Sequence, residues 1–256
     1  MGDHEDVKNI LEACMLLDQR LSEACDAKHK VDLILEHLGL VEGKLKIKCP
    51  QFKPGLKWMN VSTPLMLNDQ LKGKLVLLDF FTYCCINCLH VLPDLAALEE
   101  QYTVQDGVVV VGVHSAKFEN EKVSANILSA ILRYNIDHPV VNDNDASLWS
   151  ELMIQCWPTI VLLSPSGCIL HFFVGEGHRD RLMEFVHQCV LYYKEKGMLS
   201  NHDIPLDLEK RKGSNTPLKF PGKVCVSDSG QEIVVSDTGH HRILVLSKEG
   251  IVQVPY

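Results

Sequence analysis

The sequence predicts an α/β protein whose central sheet is mostly parallel, with helices on both faces and an antiparallel hairpin at one edge. Two apolar runs, at Leu75–Phe81 and at Gly107–His114, have the length and the β-branched content of buried strands. Segments with helical spacing follow both runs. Because strands that alternate with helices form parallel sheets, these observations fix the class of the central domain.

Residues 1–49 are predicted to form an N-terminal helical region. Apolar residues recur at spacings of three and four, and a second run of them ends at Gly39, a suitable helix C-cap. The pattern indicates a helical hairpin or small bundle that packs on the domain that follows it. The apolar positions of the first run are Val7, Ile10, Leu11, Cys14, Leu17 and Leu21.

Residues 50–197 are predicted to form the α/β domain, in the order β-α-β-α-β-α-β-β-α. An amphipathic helix is expected over residues 119–134, a short strand over 138–141 and a closing helix over 178–196. Two further strands, Thr159–Leu163 and Ile169–Val174, flank the turn Pro165-Ser166-Gly167 and give the hairpin.

The composition changes after residue 197. Residues 198–219 are polar and rich in Pro, Gly, Ser and Asn, which is typical of a linker. Residues 220–256 then show short apolar runs separated by tight turns, and they predict a small β unit.

Charge and hydropathy exclude two classes of partner. The chain has a formal net charge of −8 and no long basic run, so neither Lys44–Lys48 nor Lys210–Lys212 indicates nucleic-acid binding. The sequence contains no stretch of eighteen apolar residues, so no membrane span is predicted. The acidic N-terminus lacks the basic-then-apolar layout of a signal peptide. The ten cysteines are scattered through apolar segments, so we expect a reducing, cytosolic compartment.

A Cys-x-x-Cys pair follows the first buried strand. The strand gives way to Thr82-Tyr83-Cys84-Cys85-Ile86-Asn87-Cys88, and helical spacing begins at or near Cys88. A helix N-terminus stabilises a thiolate, which is the reactive form of cysteine. The spacing places the second sulfur about one turn later, close enough to form a disulfide. This arrangement predicts redox chemistry at Cys85 and Cys88.

The stretch resembles the active site of the thioredoxin fold, where Asp-Phe-x-x-x-Trp-Cys-x-x-Cys is followed by a proline five residues on. The resemblance implies that Asp79 is the buried acid that shuttles a proton from Cys88. It also implies that Cys85 is the nucleophile, Cys88 the resolving cysteine and Pro93 the helix kink. Two departures stand out: Cys84 replaces the family's tryptophan, and Ile86-Asn87 replaces Gly-Pro. Residues 134–143 and 158–167 are similar to the larger subclass that includes TlpA-like thiol reductases and peroxiredoxins.

The second element of the resemblance is Trp157-Pro158-Thr159, just before a strand. In that family the proline is cis and faces the Cys-x-x-Cys pair, and the residue before it exposes its backbone to an extended substrate chain. The resemblance therefore assigns substrate contacts to Trp157, Pro158 and Thr159, with Cys84 at the rim. The alternative is an ordinary proline at the start of a strand beside a core tryptophan.

Other chemistry-bearing residues are given structural roles. A zinc site built on Cys84, Cys85, Cys88 and His90 lacks a second cluster of ligands, so no metal and no cofactor are expected. The histidines outside this stretch are expected to be hydrogen-bonded or exposed; they include His114, His138, His171 and His178.

The C-terminal segment resembles one NHL repeat, a propeller blade, through Asp237-Thr238-Gly239-His240-x-Arg242-Ile243. Asp237, His240 and Arg242 are expected to hold this partial blade together. Propellers need several blades. A single repeat therefore indicates a truncated isoform, a fragment or an incomplete gene model. Such a unit should be either loosely ordered or docked on the preceding domain through Ile233, Val235, Ile243 and Val245.

Together the three regions resemble the NHL-repeat-containing protein 2 family, which joins a thioredoxin-like domain to a propeller. The resemblance implies a thiol–disulfide oxidoreductase that acts on protein disulfides and is restored by an external thiol reductant. A redox-silent scaffold that binds protein partners through its NHL region is the alternative. A peroxidase ranks last, because no Pro-x-x-x-Thr-x-x-Cys segment precedes Cys85.

Overall fold

The computed structural model describes residues 3–211 and 218–255, in which the chain forms two separate sheets. Residues 1–2, 212–217 and 256, which include Lys212 and part of the predicted linker, lie outside the described residues. The first sheet has six strands in the order β1-β4-β3-β2-β5-β6. Its strands are β1 (Lys57–Met59), β2 (Leu75–Phe81), β3 (Val108–His114), β4 (Val140–Asn142), β5 (Thr159–Leu163) and β6 (Ile169–Val174).

Strand β2 lies at the centre of the first sheet, and all seven of its residues are buried. It pairs in parallel with β3, from Leu75 opposite Val108 to Phe81 opposite His114, and antiparallel with β5. Strand β4 continues the parallel part, whereas β1 and β6 form antiparallel edges. The predicted fold class, a thioredoxin-like mixed sheet with helices, is confirmed.

Six α-helices accompany the first sheet in the part of the chain that the structure describes. They are α1 (Asp3–Glu23), α2 (Ala27–Leu40), α3 (Ile86–Gln101), α4 (Ser124–Tyr134), α5 (Ser147–Glu151) and α6 (Arg179–Glu195). None of the described helices has the length and apolar character that crossing a bilayer requires. The helix predicted over residues 119–134 is split, because Val123 is extended between a 3₁₀ turn (Glu119–Lys122) and α4.

The N-terminal helices are part of the main core. Their buried residues belong to the same apolar cluster as the central strands, and α1 packs on β6 while α2 packs on α6. The β5–β6 register shifts so that Leu170 has no ladder partner, and its carbonyl oxygen accepts a 2.8 Å hydrogen bond from Nε2 of His37. Because a buried carbonyl without a partner is costly, this bond fixes where α2 lies on the sheet.

The structure differs from the predicted linker over residues 199–209, which lie along the domain and which we call the strap. Ile204 belongs to the main core. The buried Nζ atom of Lys74 donates to the carbonyl oxygens of Val104, Ser200 and His202 at 2.6–2.7 Å. The composition indicated exposure, but the Lys74 ammonium binds the strap through the carbonyl oxygens of Ser200 and His202.

The second sheet has four antiparallel strands in the order β10-β9-β8-β7. They are β7 (Pro221–Val226), β8 (Glu232–Asp237), β9 (Arg242–Ser247) and β10 (Val252–Pro255). Asp237 is fully buried and accepts hydrogen bonds from His240, Arg242 and the backbone of Lys219. Burial opposes ionisation of Asp237, but these bonds outweigh it and lower its pKa to about 2. The predicted role of this trio is confirmed.

The four residues predicted to dock the repeat do not share a face. Val235 is opposite Leu244 and Val234 is opposite Val245 in the β8–β9 register. Because side chains alternate along a strand, Ile233 and Val235 lie on one face, whereas Ile243 and Val245 lie on the other. The prediction of one docking surface made from all four is wrong.

Lys74→Met is expected to release the strap. It removes the donor of the Ser200 and His202 carbonyl oxygens, whereas that of Val104 keeps the N–H group of Gly107, and it should lower the free energy of unfolding by about 3 kcal/mol. Limited proteolysis should then cleave within residues 199–209, which the wild-type protein protects. Lys72→Met, which changes an exposed lysine on the same turn, should leave the cleavage pattern unchanged. Equal protection of the strap in both variants would contradict the role given to Lys74.

Candidate active site

The candidate site lies where β2 gives way to α3. Strand β2 ends at Phe81, a turn occupies residues 82–85, and α3 begins at Ile86 with Cys85 as its N-cap. The N–H group of Cys85 donates to the carbonyl oxygen of Thr82 at 3.2 Å, and that of Cys88 donates to Cys85 at 3.1 Å. The Cys85 sulfur therefore lies at the end of the helix that favours negative charge.

The two thiols of the Cys-x-x-Cys pair differ in exposure. Cys85 is half-buried, whereas Cys88 is 2% exposed and packs in an apolar cluster with Phe81 and Ile127. Burial raises the pKa of Cys88 far above its usual value, and contact with the Asp79 carboxyl and the Cys85 thiol raises it further. Only Cys85 can therefore meet a protein substrate first.

The backbone on the other side of Cys85 comes from residues 156–159. The Trp157–Pro158 peptide bond is cis, as the resemblance implied. The Cys85 Sγ atom lies 4.0 Å from the carbonyl oxygen of Trp157. The indole of Trp157 is held by a 2.9 Å hydrogen bond from Nε1 to the carbonyl oxygen of Ser115 and by contact with Trp149.

Pro158 and Thr159 are both buried, so their side chains are not open to a substrate. The Thr159 hydroxyl donates to the carbonyl oxygen of Cys156 at 2.9 Å. This bond stabilises the turn before β5. Among the three residues, the Trp157 backbone is the part that faces the Cys85 sulfur.

Asp79 lies inside the domain, on the central strand. Its side chain is 1% exposed, and neither carboxyl oxygen has a hydrogen-bond partner. Burial raises the pKa of Asp79 to about 7, although the charge of His138 lowers it in part. A buried carboxyl group that titrates near neutral pH beside Cys88 can exchange a proton with that thiol.

Cys84 faces away from the cysteine pair. It is exposed, and its sulfur lies 3.7 Å from Thr82 Oγ1 and contacts the carboxyl group of Glu121. Burial and the Glu121 carboxylate together raise the pKa of Cys84. Cys84 is therefore a rim residue whose thiol stays protonated.

Two residues near the site were missed or misassigned from the sequence. Glu121 is buried and accepts hydrogen bonds from the Thr82 hydroxyl and two backbone N–H groups, and nothing in the pattern of residues 119–134 indicated this. His114 was expected to be hydrogen-bonded or exposed. It is instead buried with neither ring nitrogen bonded, stacks on Tyr83, and burial lowers its pKa to about 4.

Within residues 3–211 and 218–255, one group has the geometry of metal ligands: Cys14, His37 and His171, whose donor atoms lie within 4.8 Å of one another. His37 is already bonded to Leu170, and Nε2 of His171 lies 3.1 Å from the Asp18 carboxylate. These partners make the group a polar contact between the N-terminal helices and β6. Cys84, Cys85, Cys88 and His90, the ligands of the zinc alternative, do not form such a group in the described part of the chain.

A groove of about 980 Å³ opens beside the site. Its walls come from α3, from the segments before β3 and β4, and from the strap. Leu89 and Leu92, which follow Cys88 on α3, line one wall, and Glu99 and His138 lie at its polar side. The groove therefore reaches solvent close to the elements that carry the cysteine pair and Asp79.

Two family models match this chain. A model described as thioredoxin-like matches residues 73–169, and one described as an NHL repeat matches residues 218–246. Among curated proteins, NHL repeat-containing protein 2 of Homo sapiens is 47% identical over 253 residues, which is 98% of this chain and 35% of that protein. The chain thus spans about a third of the length of this relative.

The thioredoxin-like part is related to thiol–disulfide oxidoreductases. The thiol-disulfide oxidoreductase YkuV of Bacillus subtilis is 25% identical over 148 residues, which is 57% of this chain and 97% of that protein. A solution structure of a thioredoxin-like protein in the oxidised form has a TM-score of 0.51 at 21% identity. It covers 58% of this chain and 98% of the solved one, and it supports the fold alone.

Asp79→Asn is expected to stabilise the protein at high pH. The folded-state pKa of about 7 lies above the usual value of 3.8, so the folded protein binds more protons between these values and loses stability as the pH rises through them. The variant should escape this loss and gain at most about 4 kcal/mol above pH 7, and much less near pH 4. Urea unfolding at pH 4.5 and pH 8 measures the difference.

The exposed Asp69→Asn is the matched control, since it changes the same group on the surface and should alter neither value. A free energy of unfolding for Asp79→Asn that differs from wild type by the same amount at both pH values would contradict the raised pKa.

Proposed function

The chain belongs to the family of NHL repeat-containing protein 2, and we propose that its Cys85–Cys88 pair exchanges dithiol for disulfide with protein substrates. One observation carries the proposal. Cys85 is the half-buried N-cap of α3, 4.0 Å from the Trp157 carbonyl, and Cys88 is buried behind it. A nucleophile at the surface and a resolving thiol beneath it are the two groups that the reaction needs.

In the first step, the Cys85 thiolate attacks one sulfur of a substrate disulfide. A mixed disulfide forms between Cys85 and the substrate, and the second substrate sulfur leaves as a thiolate that takes up a proton. The substrate backbone approaches Trp157, whose carbonyl oxygen faces the Cys85 sulfur and whose ring is held by Ser115 and Trp149. An extended segment around the disulfide therefore suits this surface.

In the second step, Cys88 gives its proton to the Asp79 carboxylate and attacks the Cys85 sulfur. The Cys85–Cys88 disulfide forms and the mixed disulfide breaks. The substrate sulfur leaves as a thiolate that takes up a proton from water, so that both substrate sulfurs are then reduced. Because burial raises the pKa values of both Cys88 and Asp79, ionisation of either group is unfavourable in free energy. The proton transfer moves one negative charge from the carboxylate to the attacking sulfur, so the interior does not hold both charges at once. An external thiol reductant, in a reducing compartment such as the cytosol, then restores the dithiol.

A second candidate is a scaffold that binds protein partners and has no redox turnover. The NHL sheet favours it, because Val224 and Val226 on β7 are 59% and 60% exposed. Apolar side chains on a strand at the edge of a sheet are suited to pairing with another surface. Both functions can reside in one chain, so turnover is the deciding measurement.

Cys85→Ser is expected to abolish reduction of a protein disulfide such as insulin, because no nucleophile remains at the surface. Cys88→Ser should accumulate the mixed disulfide, since the first step proceeds and the resolving step does not. Insulin turbidity and mass spectrometry of the trapped adduct measure the two effects. Cys25→Ser, an exposed cysteine far from the site in sequence, should behave as wild type. A wild-type protein that shows no turnover with any thiol donor would favour the scaffold instead.

Cys84→Ala is expected to keep turnover within about threefold of wild type while shifting the redox potential of the pair. Its thiol stays protonated and contacts Glu121 and Thr82 instead of the reacting sulfurs. Turnover and a glutathione redox titration measure the two quantities. If Cys84→Ala were as inactive as Cys85→Ser, the nucleophile would have been assigned to the wrong cysteine.

A further inference from the structure

The buried Asp79 carboxyl needs a path to solvent if it takes a proton in every turnover. Its side chain is 1% exposed and no hydrogen bond reaches either oxygen. If the proton returned from Asp79 directly to Cys88, it would convert the attacking thiolate back to a thiol before the substrate has left. A route from Asp79 to a different surface has to pass through a buried polar group that can both accept and donate a proton.

His138 is such a group. Its side chain is 4% exposed, its Nε2 atom is buried with no hydrogen-bond partner, and its charge acts directly on Asp79. The buried carboxyl and the buried imidazole nitrogen interact electrostatically but are not hydrogen-bonded to each other. They form a complementary pair, because one can donate what the other accepts.

The sheet leaves room for this ring at Gly112. Asp79 and Gly112 are opposite each other in the β2–β3 register, so their side-chain positions lie on the same face. A Cβ atom at Gly112 would lie 3.5 Å from His138 Nε2 and 3.0 Å from a carbon of the Phe81 ring. Any larger side chain at this position would crowd the imidazole beside Asp79.

The other side of the ring leads outward. His138 Nδ1 lies 3.3 Å from Oε2 of Glu99, whose side chain is 34% exposed, and both residues line the 980 Å³ groove. The loop that carries His138 is fixed by Asn60, whose side chain donates to the carbonyl oxygens of Ile136 and His138 at 2.8 Å. The ring is therefore held between a buried acid and an acid that meets water.

We propose that His138 and Glu99 carry the proton from Asp79 to the groove during the resolving step. The proposal rests on the thiol–disulfide exchange proposed above. Asp79 and Nε2 of His138 are not hydrogen-bonded to each other in this structure, so the transfer requires the two side chains to move within bonding distance. After Cys88 has given its proton to Asp79, the acid passes it to Nε2 of the neutral His138 ring while Nδ1 gives its own proton to Glu99. Glu99 releases that proton to water, and a return of the ring to its first tautomer completes the cycle. Only the proton takes this route: the two electrons pass from the cysteine pair to the sulfurs of the substrate.

Among the described residues, few titratable or charged side chains face this route. Asp79 meets Cys88 from α3 and His138 from the segment before β4. Around His138, the groove also holds the acids Asp137, Glu100 and Asp203, of which Asp137 is paired with Lys210. These acids make the groove a site that attracts protons released from the interior.

Single-turnover kinetics can separate the two chemical steps. A substrate disulfide that carries a chromogenic thiol reports the attack by Cys85, and decay of the mixed disulfide reports the resolving step. His138→Gln should slow the resolving step about tenfold and leave the attack by Cys85 unchanged. Glu99→Gln, which alters a partly exposed side chain and should not affect folding, should slow the same step about threefold. His187→Gln is the control, because His187 bonds to the groove residue Tyr102 but does not contact Asp79.

Chemical rescue distinguishes proton transfer from a structural role. His138→Ala leaves space open to the groove, so added imidazole should restore at least half of the lost rate with saturable dependence and should not accelerate wild type. Resolving rates within twofold of wild type in both His138→Gln and Glu99→Gln would overturn the proposal. So would equal slowing of both steps, or a loss in His138→Ala that imidazole does not restore.

Infrared titration of a ¹³C-labelled Asp79 carboxyl tests the route without turnover. His138→Gln should raise the pKa of Asp79, because the ring whose protonated form lowers that pKa is lost, and His187→Gln should not. If wild type shows this coupling but no turnover, the proposed function fails and the electrostatic coupling between Asp79 and His138 stands. If wild type turns over and His138→Gln changes neither the titration nor the resolving step, the route alone is wrong.

Discussion

The position of β2 is the constraint on which the site depends. The strand is buried along its whole length and pairs on both sides, so the residue at which it ends cannot move without breaking two ladders. Its end at Phe81 fixes the turn that presents Cys85 at the start of α3. The antiparallel register with β5, in which Phe80 is opposite Thr159, brings Trp157 and Pro158 to the same end of the sheet. One strand thus places the nucleophile and the backbone that faces it.

The same strand contains the residue that opposes its stability. A carboxyl group on a fully buried central strand, with no hydrogen-bond partner, is the kind of group that folding normally excludes. The surrounding packing tolerates it because the group titrates near neutral pH and can remain uncharged. Gly112 on the neighbouring strand has no side chain, which leaves space for the His138 ring. Asp79 and Gly112 are paired in the β2–β3 register, and each is an unfavourable residue for a central strand. The proposed proton transfer accounts for both residues.

Local patterns predicted what is locally encoded. The apolar runs predicted β2 and β3, and the helical spacing predicted a helix that begins at or near Cys88, two residues after the observed start of α3 at Ile86. The contacts that could not be predicted join residues that are far apart in sequence. Lys74 binds carbonyl oxygens at Ser200 and His202, and Glu121 accepts from Thr82. Polar composition around residue 200 predicts exposure unless the buried lysine that satisfies it is known. The proposed role of His138 likewise could not be predicted before the β2–β3 register was known, because that register pairs Asp79 with Gly112.

The strap connects these observations. Asn60 holds the loop of His138 through two carbonyl oxygens, and its own carbonyl and side-chain oxygens accept from the backbone N–H groups of Asp207 and Glu209. One buried asparagine therefore ties the wall of the groove to the end of the strap. A boundary drawn at residue 197 would remove the strap, expose the Ile204 position in the core and free one side of Asn60. The unit that carries the cysteine pair and its groove therefore extends to about residue 210, and the segment that leads to the NHL sheet begins only after it.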